Sequence, residues 1–508
     1  MRRKVTAIIS AALLTLSMAA GAQTLTLEQC REMALRNDKE LRQDSTKLAM
    51  AAYDRKIAFA NYLPNISASG AYTYNSDNIA LINDDMSEKL TGLGTTVQTA
   101  LGSKLTALQQ AIVSNPAAAK EFAGSAMWQT VVGAMSKTDV STTLNTLGKE
   151  LNDAFTLDIE NSVVGIVSLQ QPVFMGGKII AANKMAKLAE ELQGNQYDLK
   201  YQEVIVNVDQ AYWQVVSIAA KKKLAESYAD LLHNMKRNVA ISVAEGIATA
   251  SDSLQVEVKS NEADMLLTKA GNGLVLSKML LCKLTGLPLD SQITLADENA
   301  QEIAMPQFSP EKGLEQIYED RPETRSLDLA TQIYKQKYNM ARADMLPKVA
   351  LTANYLMSNH NFQNGFSKEY GDMFSAGVMV NIPLFHGFEA LNKTRKAKAE
   401  QQLYFSQLDD AKEKIELQVT QLRQQQGENI EKYYMARHNV ESAEENLRKA
   451  TIGYEEGVID TDTALGAQTA WLQANSEFID AGIDLQMNNV ELLKAEGSYT
   501  SDRQNNKE

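Results

Sequence analysis

The sequence predicts a mainly helical fold with a smaller amount of membrane-type β-structure, built as an internal duplication that places four strands in one chain. Three observations support this prediction. The turn Ala244–Leu254 recurs 211 positions later as Glu455–Leu465. A proline-free helical pattern of 66 residues leads into each turn, over 178–243 and 389–454. Each helical pattern follows two short segments in which apolar and polar residues alternate.

Further residue pairs at the same spacing support the duplication. They are Pro172 and Pro383, Phe174 and Phe385, Gly176 and Gly387, Gly246 and Gly457, and Gly286 and Gly497. Such regularity over more than a hundred residues indicates two repeats, and repeats dictate how the rest of a chain is interpreted. We assign the first repeat to 23–286 and the second to 311–497. Residues 287–310 form a proline-containing linker, and the polar tail 498–508 is expected to be disordered.

Residues 1–22 are predicted to be a signal peptide. A basic start at 2–4 precedes an apolar stretch at 5–20, and Ala20–Ala22 has the small-x-small pattern of a cleavage site. The mature chain would begin at Gln23, and a membrane anchor is the alternative. No later stretch offers about 18 consecutive apolar residues, so no transmembrane helix is expected.

A helical segment opens each repeat. Leu25–Asn61 has a helical pattern, with Thr26 as the N-cap and Gln29 three residues later as a weak capping box. Leu314–Leu346 is its counterpart in the second repeat. We expect one continuous helix in each segment, ended by a Leu-Pro pair, because proline disfavours continuation of a helix.

Four segments alternate apolar and polar residues with a period of two, as β-strands with two different faces do. The segments are Pro64–Tyr74, Val163–Gln171, Val349–Ser358 and Phe374–Ile382. In the first, Ile66 and Tyr72 lie on one face and Ser67 on the other. A length of about ten residues suits a membrane-crossing strand, and Tyr72 and Tyr74 suit an aromatic girdle. A strand of a soluble sheet is the alternative for any one segment alone.

The first repeat carries about 72 extra residues between its two strands, at roughly 76–160. Helices are expected at 84–114 and 116–135. The composition is too apolar for a disordered linker, so we expect a small folded insertion. If the strands cross a membrane, this insertion lies at the end away from the long helices, where it is a candidate lid.

The long helices are predicted to form hairpins with the helices that follow them. At 1.5 Å per residue, each 66-residue helix spans about 100 Å. Steps of three and four residues in the second long helix predict a coiled-coil seam. The seam residues are Tyr433, Ala436, Val440, Ala443, Leu447, Ala450 and Tyr454.

The tips of the two hairpins are expected near 244–252 and 455–463. Gly246 and Gly457 are placed to end the descending helices in the left-handed conformation. The returning helices are expected to start near Ser251 and Thr461, with Ser251 and either Thr461 or Asp462 as N-caps. In the second returning helix a seven-residue rhythm runs through Leu465, Leu472, Ile479 and Leu493.

Composition and motifs exclude several classes of function. The chain has 50 basic and 63 acidic residues and a formal net charge of −13, which is against nucleic acid as a partner. Cys30 and Cys282 predict two separate buried thiols rather than a disulfide framework. The four histidines lack metal-ligand spacing, and neither a phosphate-binding loop nor a Ser/His/Asp motif is found. We therefore expect no enzyme, no metal site and no cofactor.

Four strands cannot close a barrel alone, since about eight are needed even for a packed interior. Open sheet edges are not tolerated in a bilayer, so a four-stranded chain in a membrane must oligomerise. Two copies give eight strands and a filled lumen, whereas three give twelve and room for a pore.

The repeat order, the Leu-Pro strand starts, the Pro-x-Phe-x-Gly strand ends and the Glu-Gly turns resemble those of the TolC-like outer-membrane efflux proteins. The likeness covers the mature chain except roughly 76–160. It implies a homotrimer with a twelve-stranded barrel in the lipid of the outer membrane and a helical tunnel into the periplasm. It also implies docking to a periplasmic adaptor (a membrane fusion protein) and an inner-membrane transporter.

The resemblance also implies roles for the hairpin turns. The adaptor-docking tips would be Gly246, Ile247 and Ala248 in the first turn and Gly457, Val458 and Ile459 in the second. Well-known members narrow the tunnel entrance with two aspartates, but Thr463 and Gly466 occupy those positions here. Asp460 and Asp462 are the acidic candidates for the entrance gate, together with Thr463 itself. The alternative is a solvated turn with an N-capping aspartate.

Two alternatives to an efflux channel stay open on the sequence alone. One is the outer-membrane duct of type I protein secretion, which uses the same kind of component. The other is a periplasmic coiled-coil adaptor or scaffold. Adaptors have one hairpin flanked by β-rich domains, whereas this sequence alternates two hairpins with two strand pairs.

Overall fold

The computed structural model describes residues 23–114, 125–126, 129–130, 140–300, 302–361, 369–385 and 387–501. The predicted signal peptide, most of the predicted helix at 116–135 and the end of the tail lie outside the described residues. The chain divides into two compact units. The helical unit comprises the chain up to Ala60, Gly177–Met345 and the chain from Phe385, and the strand unit comprises Asn61–Gly176 and Leu346–Leu384.

The described helices and strands follow the repeat order. The helices are α1 Leu27–Asn37, α2 Lys39–Ala60, α3 Asp84–Thr91, α4 Leu93–Val113, α5 Val140–Ala154, α6 Lys178–Ala244, α7 Ala250–Thr285, α8 Leu314–Asp320, α9 Pro322–Ala343, α10 Glu389–Glu455 and α11 Thr461–Ala495. The strands are β1 Gln23–Leu25, β2 Asn65–Tyr74, β3 Ile79–Ala80, β4 Thr156–Leu157, β5 Asn161–Met175, β6 Ile293–Leu295, β7 Lys348–Ser358 and β8 Gly371–Asn381. None of the described helices is long and apolar enough to cross a membrane.

The segment that opens each repeat is two helices rather than the single helix predicted. The capping box at Thr26 is confirmed, with Thr26 and Gln29 exchanging hydrogen bonds of 3.0 and 3.3 Å. The chain leaves the helical conformation at Asp38, whose carboxylate then accepts from the Leu41 N–H at 2.6 Å and starts α2. In the second repeat the break falls at Arg321, which is extended because a proline follows it.

The two hairpins match the prediction closely. The long helices α6 and α10 end one residue later than expected. Along the seam predicted on α10, Tyr433, Ala436 and Ala450 are buried, and the other four seam residues are half-buried between exposed neighbours. Within the helical unit α6 packs against α7, α2, α9 and α11, whereas α10 packs against α9 and α11.

The backbone conformation is the same at equivalent positions of the two repeats. Glycines with positive φ occur in pairs 211 residues apart: Gly176 and Gly387, Gly246 and Gly457, and Gly286 and Gly497. Gly177, with φ of 84°, corresponds to Phe388, with φ of 65°. A residue with a Cβ in this region carries a conformational cost of about 1 kcal/mol. Phe388 is therefore a strained point that the first repeat avoids with glycine.

A core near the chain start joins α1, α6, α7 and the parallel strand pair β1–β6. Leu25, Tyr212 and Leu295 are fully buried in it. The prediction of two buried thiols without a disulfide is confirmed, and Cys30 and Cys282 both lie in this core. Both are buried and not disulfide-bonded, and burial raises the pKa of the Cys30 thiol to about 11.

The described part of the C-terminal tail is packed, so the prediction of disorder from residue 498 is wrong as far as residue 501. The Ser501 hydroxyl donates to Asp198 at 2.7 Å, and the Tyr499 hydroxyl donates to Asp209 at 3.3 Å. Gln202 donates to the Tyr499 carbonyl at 2.8 Å. Buried carboxylates on α6 need partners, and these tail groups supply them.

The strand unit contains a four-stranded antiparallel sheet in the order β2-β5-β7-β8. The four predicted strands are confirmed. On one face Val167, Tyr355 and Phe374 are cross-strand neighbours, and on the other Ser168, Asn354 and Ser375 are. The sheet therefore has one apolar and one polar face, and β2 and β8 are its outer strands.

The insertion in the first repeat is folded where it is described. The pair β3–β4 forms its stem, and α3 and α4 pack on α5. The side-chain Oδ1 of Asn145 accepts from the Gly94 N–H at 2.7 Å, joining α5 to the start of α4. The predicted helix at 84–114 breaks at Gly92, and α5 was not predicted.

Candidate functional site at the two hairpin turns

The two turns share one hydrogen-bonding pattern. In the first, the N–H groups of Ile247 and Ala248 both donate to the Ser242 carbonyl, at 2.8 and 3.2 Å. In the second, Val458 and Ile459 donate to the Gly453 carbonyl, at 2.7 and 3.2 Å. These bonds satisfy the last carbonyls of α6 and α10, and a left-handed glycine between them reverses the chain.

Each turn presents one aliphatic side chain at its apex. Ile247 is 76% exposed and Val458 is 79% exposed. The residue after each apex is half-buried, and the Ile459 side chain lies beside Gly453. The predicted tip residues thus form two matching turns, each with one exposed aliphatic side chain at its apex.

The N-caps of the returning helices differ from those predicted. Thr249 caps α7 in a capping box with Asp252, and Asp460 caps α11 by accepting from the Thr463 N–H at 2.8 Å. In each turn the cap is the third residue after the glycine, because the tight turn brings the chain into helical conformation at once. Ser251, Thr461 and Asp462, offered as caps, lie inside the first turn of their helices.

The three gate candidates occupy different settings. The Asp460 carboxylate is committed to capping, and its bonds to Thr463 lower its pKa below the ordinary value. Asp462 is exposed in the first turn of α11. Thr463 is exposed and donates its N–H to Asp460. Of the three, Asp462 is the carboxylate outside the capping interaction.

Asp252 was not predicted as a functional residue, yet it connects the two turns. Its carboxylate accepts from the Thr249 hydroxyl at 2.7 Å, and it also interacts with Thr461 of the second hairpin. The hydrogen bonds from Thr249, and to a smaller extent the interaction with Thr461, lower the pKa of Asp252, although burial and the nearby Asp460 oppose this. The capping-box spacing of Thr249 and Asp252 was a visible signal, but the link to Thr461 depends on tertiary packing.

An apolar cluster lies directly behind the turns and joins the hairpins. Tyr228 and Met235 of α6 are each 5% exposed, and Leu465 of α11 is 7% exposed. Gln468 of α11 donates to the Met235 sulfur at 3.6 Å. Further along, Lys221 of α6 forms an ion pair of 2.6 Å with Asp480 of α11. The two hairpins of one chain are therefore packed together over several helical turns.

Within the part of the chain that the structure describes, no group of three or more His, Cys, Asp or Glu side chains is placed to hold a metal ion. The features that stand out at the turns are apolar apexes, helix caps and carboxylates. Such an arrangement suits contact with another protein and passage of solutes past charged groups.

The sequence model of the outer membrane efflux protein family matches residues 131–287 and 313–498, which is more than half of the chain. A curated relative is the alkaline protease secretion protein AprF of Pseudomonas aeruginosa. It is 24% identical over 329 residues, covering 64% of this chain and 67% of the relative.

Solved structures share the fold over nearly the whole chain. A membrane protein from Pseudomonas aeruginosa superposes with a TM-score of 0.69 at 16% identity, covering 92% of this chain and 93% of that one. The outer membrane protein VceC of Vibrio cholerae gives a TM-score of 0.67 at 14% identity, covering 93% and 96%. The coverage includes both the helical and the strand elements.

Proposed function

The chain belongs to the outer membrane efflux protein family, and from this premise we propose that three copies form one duct whose hairpin tips dock a periplasmic adaptor. The protein is an outer-membrane channel with its helical part in the periplasm. Members of the family serve as the outer-membrane component of tripartite export systems. The channel is a passive conduit, so export is driven by its partners.

The observation that carries the proposal is the pair of outer strands. The sheet stops at β2 on one side and at β8 on the other after four strands. In a bilayer both edges need partners, and β8 of one copy can pair with β2 of the next as β5 pairs with β7 inside the chain. Three copies close twelve strands, which leaves room for a lumen.

The exposed apexes Ile247 and Val458 are the proposed adaptor contacts. Two small apolar side chains on hydrogen-bonded turns suit the groove of another helical hairpin. Little conformational entropy is lost when such pre-formed turns bind. Photo-crosslinking from either position in cells should capture a periplasmic adaptor. The matched control is the exposed Lys398 of α10, which should capture none. Equal capture from Lys398 would contradict docking at the tips.

We propose Asp462 as the entrance carboxylate, repeated once per copy. A ring of like carboxylates favours cations over anions. In planar bilayers Asp462→Asn should lower cation selectivity, whereas Asp460→Ala, which removes the N-cap, should chiefly destabilise the start of α11. Unchanged selectivity in Asp462→Asn would count against the gate assignment.

The folded insertion is proposed as a lid over the outer mouth of the barrel. It leaves the sheet between β2 and β5 through its own short stem. Deleting residues 80–155 should raise conductance while trimers persist. An unchanged conductance would remove the lid from the proposal.

Protein secretion is the second candidate function, favoured by the match to the alkaline protease secretion protein. The membrane partner separates the two functions, because an ATP-driven protein exporter would indicate secretion and a small-molecule pump would indicate efflux. The same tip crosslinks, extended to the transporter bound to the adaptor, identify that partner. The scaffold alternative is set aside, since the family is one of outer-membrane channels.

A further inference from the structure

We propose that each copy lines the inside of the barrel with an apolar row, Ile166, Leu356 and Met373, which contacts the apolar parts of solutes in transit. The row selects for amphipathic solutes, because apolar groups gain free energy when they leave water for such a surface. The inference rests on the proposed function, since the row encloses a lumen only when three copies close the barrel.

The apolar row follows from the register of the strands. Ile166 of β5 is the cross-strand neighbour of Leu356 of β7. Leu356 is in turn the neighbour of Met373 of β8. Ser69 of β2 continues the row beyond Ile166. Three large apolar side chains therefore lie side by side on three adjacent strands, and a serine ends the row.

The apolar row lies on the polar face of the sheet. Residues two apart in a strand share a face, so the next row toward the long helices belongs to the same face. That polar row consists of Ser67, Ser168, Asn354 and Ser375. The row after it consists of Asn65, Gln170, Thr352 and Gly377. The apolar row is thus an exception on a hydroxyl- and amide-bearing face, and it is separate from the apolar face that suits lipid.

Burial identifies the polar face as the concave one. Curvature crowds the side chains on the concave face of a sheet and spreads those on the convex face. Ile166 and Leu356 are half-buried, whereas the adjacent Val167 and Met357 on the other face are 45% and 49% exposed. In a closed barrel the concave face is the interior, and in a membrane barrel the convex apolar face meets lipid. The apolar row therefore lines the lumen.

The size of the barrel brings large solutes against this wall. Twelve strands about 4.8 Å apart and tilted by about 40° enclose a ring about 24 Å across. Side chains that reach about 5 Å inward leave a passage about 14 Å wide. A bulky solute then passes close to the wall, whereas small hydrated ions pass through the middle. The row is thus a contact surface in an open passage, inclined with the strands and repeated three times.

The chemistry of this wall indicates the class of solute. Among the described residues of β2, β5, β7 and β8 that share this face, charge occurs only at Lys348, at the end next to the long helices. Apolar groups of a solute contact the apolar row, and its polar groups can hydrogen-bond to Ser168 and Asn354 of the adjacent polar row. The barrel therefore discriminates by apolar contact, whereas the proposed Asp462 at the entrance acts on charge.

The placement of the row is tested with two adjacent cysteine variants. Met373 and Phe374 are 46% and 69% exposed and lie on opposite faces of β8. The native Cys30 and Cys282 are buried, so they contribute little background reaction. In planar bilayers a charged thiol reagent that does not enter lipid should change the conductance of Met373→Cys and leave that of Phe374→Cys unchanged. No reaction at Met373→Cys would overturn the inference, because the row would be covered or would face lipid.

The selectivity of the row is tested with two cations of equal charge and different apolar surface. The probes are tetrabutylammonium and tetramethylammonium, added to conducting channels of the full-length protein. Replacing Ile166, Leu356 and Met373 together by serine should raise the half-blocking concentration of tetrabutylammonium about five-fold, as expected from losing roughly 40 Å² of apolar contact. The half-blocking concentration of tetramethylammonium should stay within about two-fold. The control, Ser168→Ala with Ser375→Ala in the polar row, should leave both concentrations within about two-fold.

Failure of the inference differs from failure of the proposed function. If the triple variant conducts as three copies and tetrabutylammonium blocks it as in wild type, the inference is overturned and the channel stands. A wild-type protein with a native mass of one copy and no conductance would refute the proposed barrel itself. Should the triple variant not assemble, Met373→Ser alone decides, because this side chain is the most exposed of the row. It should raise the half-blocking concentration of tetrabutylammonium, and an unchanged value would overturn the inference.

Discussion

Replacing Arg31 tests how strongly one buried carboxylate holds the start and the end of the chain to α6. Asp209 is fully buried, and its two oxygens accept from the Arg31 guanidinium at 2.7 and 2.6 Å. Tyr499 of the tail donates to the same carboxylate at 3.3 Å. Arg31→Met removes the cation that pairs with Asp209 and leaves a buried charge.

The expected cost follows from that geometry. Removing one partner of a buried pair typically costs about 3–5 kcal/mol, because the remaining charge is left in a poorly solvated site. Asp209→Asn should cost less, since Arg31 is 22% exposed and also reaches Glu28 at 3.1 Å. The double variant Arg31→Met with Asp209→Asn should lose less stability than the two single variants lose in sum, since it leaves neither charge unpaired.

The pH dependence has a definite sign. Burial raises the folded-state pKa of Asp209, although Arg31 and Tyr499 oppose this. Losing Arg31 raises it further, so the Arg31→Met defect is largest at neutral pH. The defect should shrink as pH falls through the raised pKa and the carboxylate is protonated.

The assay is the thermal midpoint of helical circular dichroism for detergent-extracted protein at pH 7 and pH 5. Arg31→Met should show the lowest midpoint at pH 7 and a smaller deficit at pH 5. An Arg31→Met midpoint equal to that of Asp209→Asn, or a deficit that grows at pH 5, would refute the reasoning.

Three further predictions concern the backbone and the caps, each read from the same thermal midpoint. Gly457→Ala, at a φ of 72°, should lower the free energy of unfolding by about 1 kcal/mol. Gly427→Ala lies inside α10, where an added Cβ meets nothing within 4 Å, and should raise it by about 1 kcal/mol. Equal effects of the two variants would contradict the turn assignment. Phe388→Gly should stabilise by about 1 kcal/mol because its φ of 65° is strained, and a loss would mean that its exposed ring contributes more than the strain costs. Asp460→Ala should lower the midpoint at pH 7, because the side-chain cap of α11 is lost. Since the folded-state pKa of Asp460 is lowered, that difference should vanish as pH falls through it, and a pH-independent difference would contradict the capping role.

The parts of the fold that follow from local periodicity were predictable. The 211-residue repeat and the alternation of strand residues located both hairpins and all four long strands. The helix caps and helix breaks were harder to predict. Asp38 and Ser251 are both polar residues of the kind that cap helices, and the sequence alone does not say which of several such residues begins a given helix.

The candidate site was predictable at its apexes and not in its connections. Gly246 and Gly457 identified the turns because a tight reversal requires the left-handed conformation. The interaction between Asp252 and Thr461 involves residues from different hairpins, so it arises only when those hairpins pack. The tail contact of Ser501 with Asp198 has the same origin, since a buried carboxylate more than 300 residues away is its partner.

The native mass of the protein extracted in detergent from outer membranes tests the central claim most directly. Open edges on β2 and β8 predict three copies in each particle. Three copies would support closure of a twelve-stranded barrel. A particle of one copy, or recovery of the protein only from the soluble periplasm, would contradict the account, because four strands cannot form a channel alone.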